Sequence, residues 1–276
     1  MSQINPALGA PGGDLVVKRL TKVFQTGEEP VVALDGVDLE VPEGEFVGLV
    51  GASGSGKSTF LRLVDGLTAP TEGTITIGGE AVTKPGADRG FVFQQDRMLP
   101  WRTVVDNVIL GLEINGIKKK VARSKARELL QIVGLGKFED SFPGELSGGM
   151  RQRANLARAY AIEPRILLMD EPYAALDGQT REMMQSWLLD MWQERQATVL
   201  FVTHQIDEAV YLADRVVVFT SRPGRVKADI RIDLPRPRTL DIKRTQAFAD
   251  YVNEVWAHIE EEVKESMRLE MEHGHS

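Results

Sequence analysis

The chain contains no cysteine, which excludes disulfides and thiolate metal sites from its chemistry. It has no apolar run near the ~18 residues that a membrane-spanning helix needs. The opening stretch, MSQINPALGAPGGDL, pairs no basic flank with an apolar core, so secretion or insertion by its own sequence is not expected. Membrane association then needs a partner. Positive charge is also short: 33 Lys and Arg stand against 40 Asp and Glu, a net charge of −7. That balance argues against a general nucleic-acid binder. Nucleotides stay open, because local amides and one or two cations suffice to hold them.

What is present fits an ordinary globular protein, with 42% apolar and 26% charged residues. A chain of 276 residues is long enough for one large domain, or a domain with a substantial subdomain. Residues 1–13, polar and rich in Gly, Pro and Ala, read as a disordered leader. From Leu15 to Gly51 the pattern is β-like. DLVVKRL and LDGVDLEV alternate, as a half-exposed antiparallel sheet requires, and FVGLVG then runs apolar on both faces, as a buried parallel strand does. A helix is expected from Lys57 to about Gly66, then strands at GTITIGGEAV and RGFVFQQ. The stretch from about Asp96 to Arg158 reads helical: TVVDNVILGLEI and KKKVARSKARELLQIVGL are amphipathic segments broken at Gly116 and Gly134. Strands RILLMD, ATVLFVTH and DRVVVFT follow, separated by helices near 178–194 and 206–213. Strand–helix alternation predicts a mostly parallel sheet with helices on its faces, interrupted by a helical insert. Beyond Ser221 come a hairpin, a proline-rich connection and a helical end. Its last stretch, Ala257 to Ser276, has six Glu against one Lys and one Arg, a solvated face. His273 and His275 lie near a terminus, where a frayed end is the simpler reading than a metal site.

GASGSGKST, Gly51 to Thr59, fits G-x-x-x-x-G-K-[ST] between an apolar strand and a helix. Gly51, Ala52, Ser53, Gly54, Ser55 and Gly56 form a loop whose N–H groups can surround phosphate oxygens. Lys57 brings a compact positive charge to the β- and γ-phosphates, and Ser58, followed by Thr59, offers a hydroxyl to Mg²⁺. ILLMDE ends a second buried strand in two acids at the ligand-binding edge of a parallel sheet. Adjacent strand residues point to opposite sides, so Asp170 and Glu171 should differ in role: Asp170 as a Mg²⁺ ligand through water, Glu171 as the base that activates the attacking water. TVLFVTH places His204 at a comparable strand end, as a γ-phosphate contact.

LSGGMRQR, Leu146 to Arg153, presents a second anion site, about 90 residues further on by sequence count, without a lysine. A helix N-terminus alone offers at most ~2 kcal/mol, roughly thirtyfold in affinity. Ser147, Gly148 and Gly149 therefore read as a lid on a nucleotide held elsewhere, with Ser147 as a mere N-cap the plainer alternative.

Together these residues resemble the ATP-binding cassette (ABC) ATPases, whose signature sequence LSGGMRQR matches. The resemblance runs from Leu15 to about Arg238. It implies an α/β P-loop NTPase core with an N-terminal antiparallel β-subdomain and a helical signature subdomain. The domain would span 14–238, its helical part about 96–160, with a C-terminal helical extension over 239–276. It further implies that Gln94 is the glutamine loop and a Mg²⁺ contact, that AALD carries a D-loop ending at Asp177, and that Phe24 stacks on adenine. Gln95 follows Gln94, and Ala174 stands where Gly or Ser is commoner. Two copies would pack head-to-tail around two ATP, each lid closing on the other's P-loop. QQDRMLPWRTVVDNVILGL, RPGRV and DLPRPR are similar to nitrate, sulfonate and taurine importer ATPases. That likeness implies permease subunits, an indirect solute-binding protein and a place on the cytoplasmic side of a bacterial inner membrane. Met98, Leu99 and Trp101 would form a groove for a short helix from the permease; Trp101 and Leu99 packing the insert's own core is the alternative, and both can hold at once. Bicarbonate or thiamine-precursor importers are alternatives. So is a soluble cassette ATPase, although repair types need long coiled coils and translation types two cassettes; a non-catalytic cassette would be expected to lack Lys57 or Glu171.

Overall fold

The computed structural model describes residues 15–26 and 29–273. The leader expected at 1–13 and His275 lie outside them. The chain divides into two compact units, one containing Gly86–Ala197 and the other Gly13–Pro85 with Thr198–Ser276. In chain order, β1 (Leu15–Thr26), β2 (Glu29–Val41), β3 (Phe46–Gly51), α1 (Lys57–Asp65), β4 (Glu72–Ile77) and β5 (Glu80–Ala81) come first. Next are β6 (Arg89–Val92), α2 (Val104–Val108), α3 (Leu110–Ile114), α4 (Lys119–Ile132), α5 (Gly148–Ala161), β7 (Ile166–Asp170) and α6 (Gly178–Arg195). The chain closes with β8 (Thr198–Val202), α7 (Ile206–Leu212), β9 (Arg215–Phe219), β10 (Val226–Arg231) and α8 (Gln246–His273).

In the unit built from both ends of the chain, the alternating segments form an antiparallel sheet in the order β2-β1-β4-β5. The apolar runs behave differently. β3 lies between β8 and β9 and is parallel to both, while β10 pairs antiparallel with β9. Every residue of β3 from Phe46 to Val50 is buried, as is every residue of β8, which is why neither alternates. α7 packs over β3, and α8 lies on α7, β9 and β10, burying Phe248, Val255 and Ile259.

Arg238 is clamped beneath this arrangement. Only 5% exposed, it donates to the carbonyls of Val210, Tyr211, Ala213, Ile232 and Leu234. It thereby satisfies the bare carbonyls at the end of α7. Burial first, and then the neighbouring Arg236, lower its pKa to about 10, so it stays charged at neutral pH.

In the other unit, β6 and β7 run parallel and helices α2 to α5 pack through Val104, Val105, Ala122, Leu130, Ala154 and Ala157, all buried. Gly116 (φ +77) and Gly134 (φ +69) end their segments as expected. One helix was expected over TVVDNVILGLEI. The structure interrupts it at Ile109. Just before the break Asn107, 0% exposed, turns its amide inward to the carbonyls of Leu99, Arg102 and Thr103. Ile109 is itself buried, so the apolar period runs unbroken across the interruption.

Candidate functional site

The loop after β3 turns through Gly56 (φ +88), where a Cβ would lie 2.7 Å from the Ala33 carbonyl oxygen, so only glycine fits. Lys57, 7% exposed, follows at the first position of α1. Its Nζ donates to the Gly51 oxygen (2.8 Å), the Ala52 oxygen (2.9 Å) and Ser55 Oγ (2.8 Å). Ser58 and Thr59 stand in the first turn of α1. Because β3 and β8 are parallel neighbours, this loop and the Thr203–His204 step leave from the same strand ends. Thr203 is buried; its hydroxyl donates to Glu208 Oε2 (2.5 Å) and accepts from the Gln205 amide (3.0 Å). His204, between those two anchors, is exposed. On β1, Phe24 is half-buried with Lys22 Nζ 5.0 Å from its ring centroid, a cation–π contact.

The other unit carries the acids. β7 ends at Asp170, 2% exposed. Glu171 comes next with φ +47, a left-handed backbone that a glutamate adopts at a cost of about 1 kcal/mol. The two acids therefore sit in different backbone settings. The origin of the difference is that the strand stops between them, more than that side chains alternate along it. Gln94 Nε2 donates to Glu171 Oε2 across 3.2 Å, so Gln94 is the glutamine that reaches the acid.

Ser147 caps α5, its hydroxyl accepting from the Met150 amide at 3.2 Å. Gly148 and Gly149 form the first turn behind it. The N-cap role and a lid role are compatible, since one hydroxyl has two lone pairs and a proton. α5 also grips the segment beyond β6. Arg151 Nε donates to Asp96 Oδ2 (2.8 Å), and Gln152 and Asn155 donate to the Phe93 carbonyl. Asp177 caps α6 by accepting from the Thr180 amide (3.0 Å). The backbone N–H and then the side chain of Thr180 hold its carboxyl below the usual aspartate value. Met98 and Leu99 are half-buried, whereas Trp101 is 72% exposed. Trp101 therefore does not pack the insert's core.

The donor chemistry suits ATP and Mg²⁺. Loop residues 51–59 contain no carboxylate, as an anion cradle requires. Ser58, Gln94 and Asp170 offer the hard oxygens that Mg²⁺ takes. Among the described residues no cluster of three or more His, Cys, Asp or Glu could hold a metal. Glu208 and Asp96 were not singled out from the sequence. Each acts through a partner far from it in type or position, and no short motif encodes that.

The parallel strands and the lysine loop define an α/β P-loop ATPase. The ABC transporter family model matches residues 34–174. The nitrate import ATP-binding protein of Synechocystis sp. is 47% identical over 247 residues, 87% of this chain and 93% of that protein. The taurine import ATP-binding protein of Rhizobium johnstonii is 49% identical over 232 residues, 82% and 88% respectively. A dimeric structure of a post-hydrolysis ATP-binding cassette bound to ADP and Pi matches with a TM-score of 0.74 and 35% identity, over 80% of this chain and 100% of that one. The chain belongs to the ABC transporter family, and within it is an ATPase subunit that resembles the nitrate and taurine import ATPases.

Proposed function

We propose that the chain powers a bacterial importer: two copies close around two ATP and drive membrane subunits that carry a small anion such as nitrate, sulfonate or taurine. The observation that carries this reading is the bond from Gln94 to Glu171, with Trp101 left exposed shortly beyond Gln94. One short segment thus touches the candidate catalytic acid at one end and offers an indole for docking at the other. α5 holds that segment through Asp96 and Phe93, so a nucleotide contact at Ser147 bears on it directly.

Lys57 and the amides of Gly51 to Gly56 bind the phosphate chain. Phe24 stacks on adenine. Ser58, Gln94 and Asp170 would hold Mg²⁺, which when bound neutralises charge developing on the β- and γ-phosphate oxygens. The Glu171 carboxylate orients the attacking water and takes its proton, while His204 donates to a γ-phosphate oxygen. Ser147, Gly148 and Gly149 of the second copy, with its Asp177, complete the enclosure. No helix among the described residues is long and apolar enough to cross a membrane. Attachment to the cytoplasmic face then runs through the permease, and a solute-binding protein selects the cargo.

The test is co-expression with and without the cognate membrane subunits. The chain is expected in the membrane fraction only when they are present, and Trp101→Asp should release it. Equal membrane recovery in both cases would remove the importer reading.

A further inference from the structure

The hairpin between β9 and β10, TSRPGR over residues 220–225, is built against the lysine loop. Gly224 makes the closest approach: a Cβ there would lie 2.1 Å from the Ser55 carbonyl oxygen, so no side chain is possible. Its amide donates to the Ala33 oxygen (3.0 Å), and its carbonyl accepts from the Asp35 amide (3.1 Å). The turn is stiffened internally, because Thr220 Oγ1 donates to the Pro223 oxygen (2.8 Å) and accepts from the Arg225 amide (2.9 Å). From the other side Glu262 on α8 accepts from both the amide and the hydroxyl of Ser221, at 2.6 and 3.0 Å.

At the apex of this braced turn sits Arg222. Its Nη2 lies 3.5 Å from the position that a Cβ on Gly54 would take. Arg222 is exposed, and among the described residues no hydrogen bond or ion pair engages its guanidinium. Neither the lysine loop (51–59) nor the turn (220–225) contains an acid. A planar cation beside the lysine loop, with no acid in either segment, suits a phosphate oxygen, which a guanidinium can meet with two donors at once.

We infer that Arg222 is a second cation of the nucleotide site, contacting the phosphate chain of the ATP that Lys57 holds. The inference rests on the proposed reading of the lysine loop, and its test separates the two. ATP binding to the full chain is measured by calorimetry at low salt, for the parent, Arg222→Gln, Arg222→Lys and Lys57→Ala. Arg222→Gln should weaken binding roughly fivefold, the size expected for one exposed charge-assisted contact. Arg222→Lys should fall between it and the parent, and the gap should narrow in ~0.5 M salt as screening sets in. Unchanged melting temperature would show that the exposed substitution leaves the fold intact. If Arg222→Gln binds ATP as the parent does while Lys57→Ala fails to bind, Arg222 is not a phosphate contact. If the parent itself does not bind ATP, the lysine-loop reading fails and this inference falls with it.

Discussion

Lys57 is a buried charge held by oxygens of its own loop. Three oxygens of its own loop surround the ammonium, so its position is set before any phosphate arrives, and preorganisation of that kind strengthens an electrostatic contact. Glu171 is the residue on which hydrolysis should depend most. Glu171→Gln keeps the length of the side chain and its ability to accept from Gln94, yet cannot take a proton. ATP binding should survive, turnover should fall by ~10² or more, and size-exclusion chromatography with ATP should show an accumulated dimer. Unchanged turnover would remove Glu171 from its role. Glu208 acts one step away, as a positioning residue: it anchors Thr203, and Thr203 anchors Gln205, on either side of His204. Glu208→Ala should lower kcat by up to ~10²-fold, as misplaced catalytic groups do, with the Kd for ATP unmoved. Glu208→Gln, which still accepts from Thr203, should recover most of the rate. A fall in ATP affinity instead of kcat would contradict a positioning role.

Among the elements, α8 is attached by charge as well as by apolar contact. Burial pushes the Glu262 carboxyl up, but hydrogen bonds from Lys227 and Ser221 outweigh it and hold the group below the ordinary glutamate value. A carboxyl depressed in the folded state stabilises it above the unfolded pKa and loses that contribution as pH falls through the folded one. The melting temperature of the parent should therefore exceed that of Glu262→Gln by about 3 °C at pH 7, and the gap should close below about pH 4. At the other end of α7, Arg238→Leu leaves five buried carbonyls without their donor and should cost about 3 kcal/mol or more, read from chemical denaturation. The lysine loop, the acids at the end of β7 and the helix ends at Gly116 and Gly134 were legible in the sequence, because spacing and residue type encode local geometry. The interruption at Ile109 was not, since a buried residue keeps the apolar period intact through a break. Nor were the bonds from Gln94 to Glu171 or from Ser221 to Glu262, which join residues 77 and 41 positions apart. Pattern names such residues but cannot pair them.

For the whole molecule, the absence of a lysine at the α5 N-terminus is the feature with most reach. An amide cluster worth at most ~2 kcal/mol cannot recruit ATP alone, so under the proposed reading it closes on nucleotide already held elsewhere. Ser147→Trp should leave ATP binding to the single chain intact and abolish hydrolysis together with ATP-dependent dimerisation. Surviving ATPase activity would end the idea of a lid supplied in trans. Selection for heat resistance alone would have a different target, Glu171. Asparagine tolerates the left-handed backbone that glutamate occupies there with less strain. Glu171→Asn is thus expected to melt higher than the parent while losing turnover. Durability and work compete for that one position, and a glutamate persists there only where turnover outweighs stability.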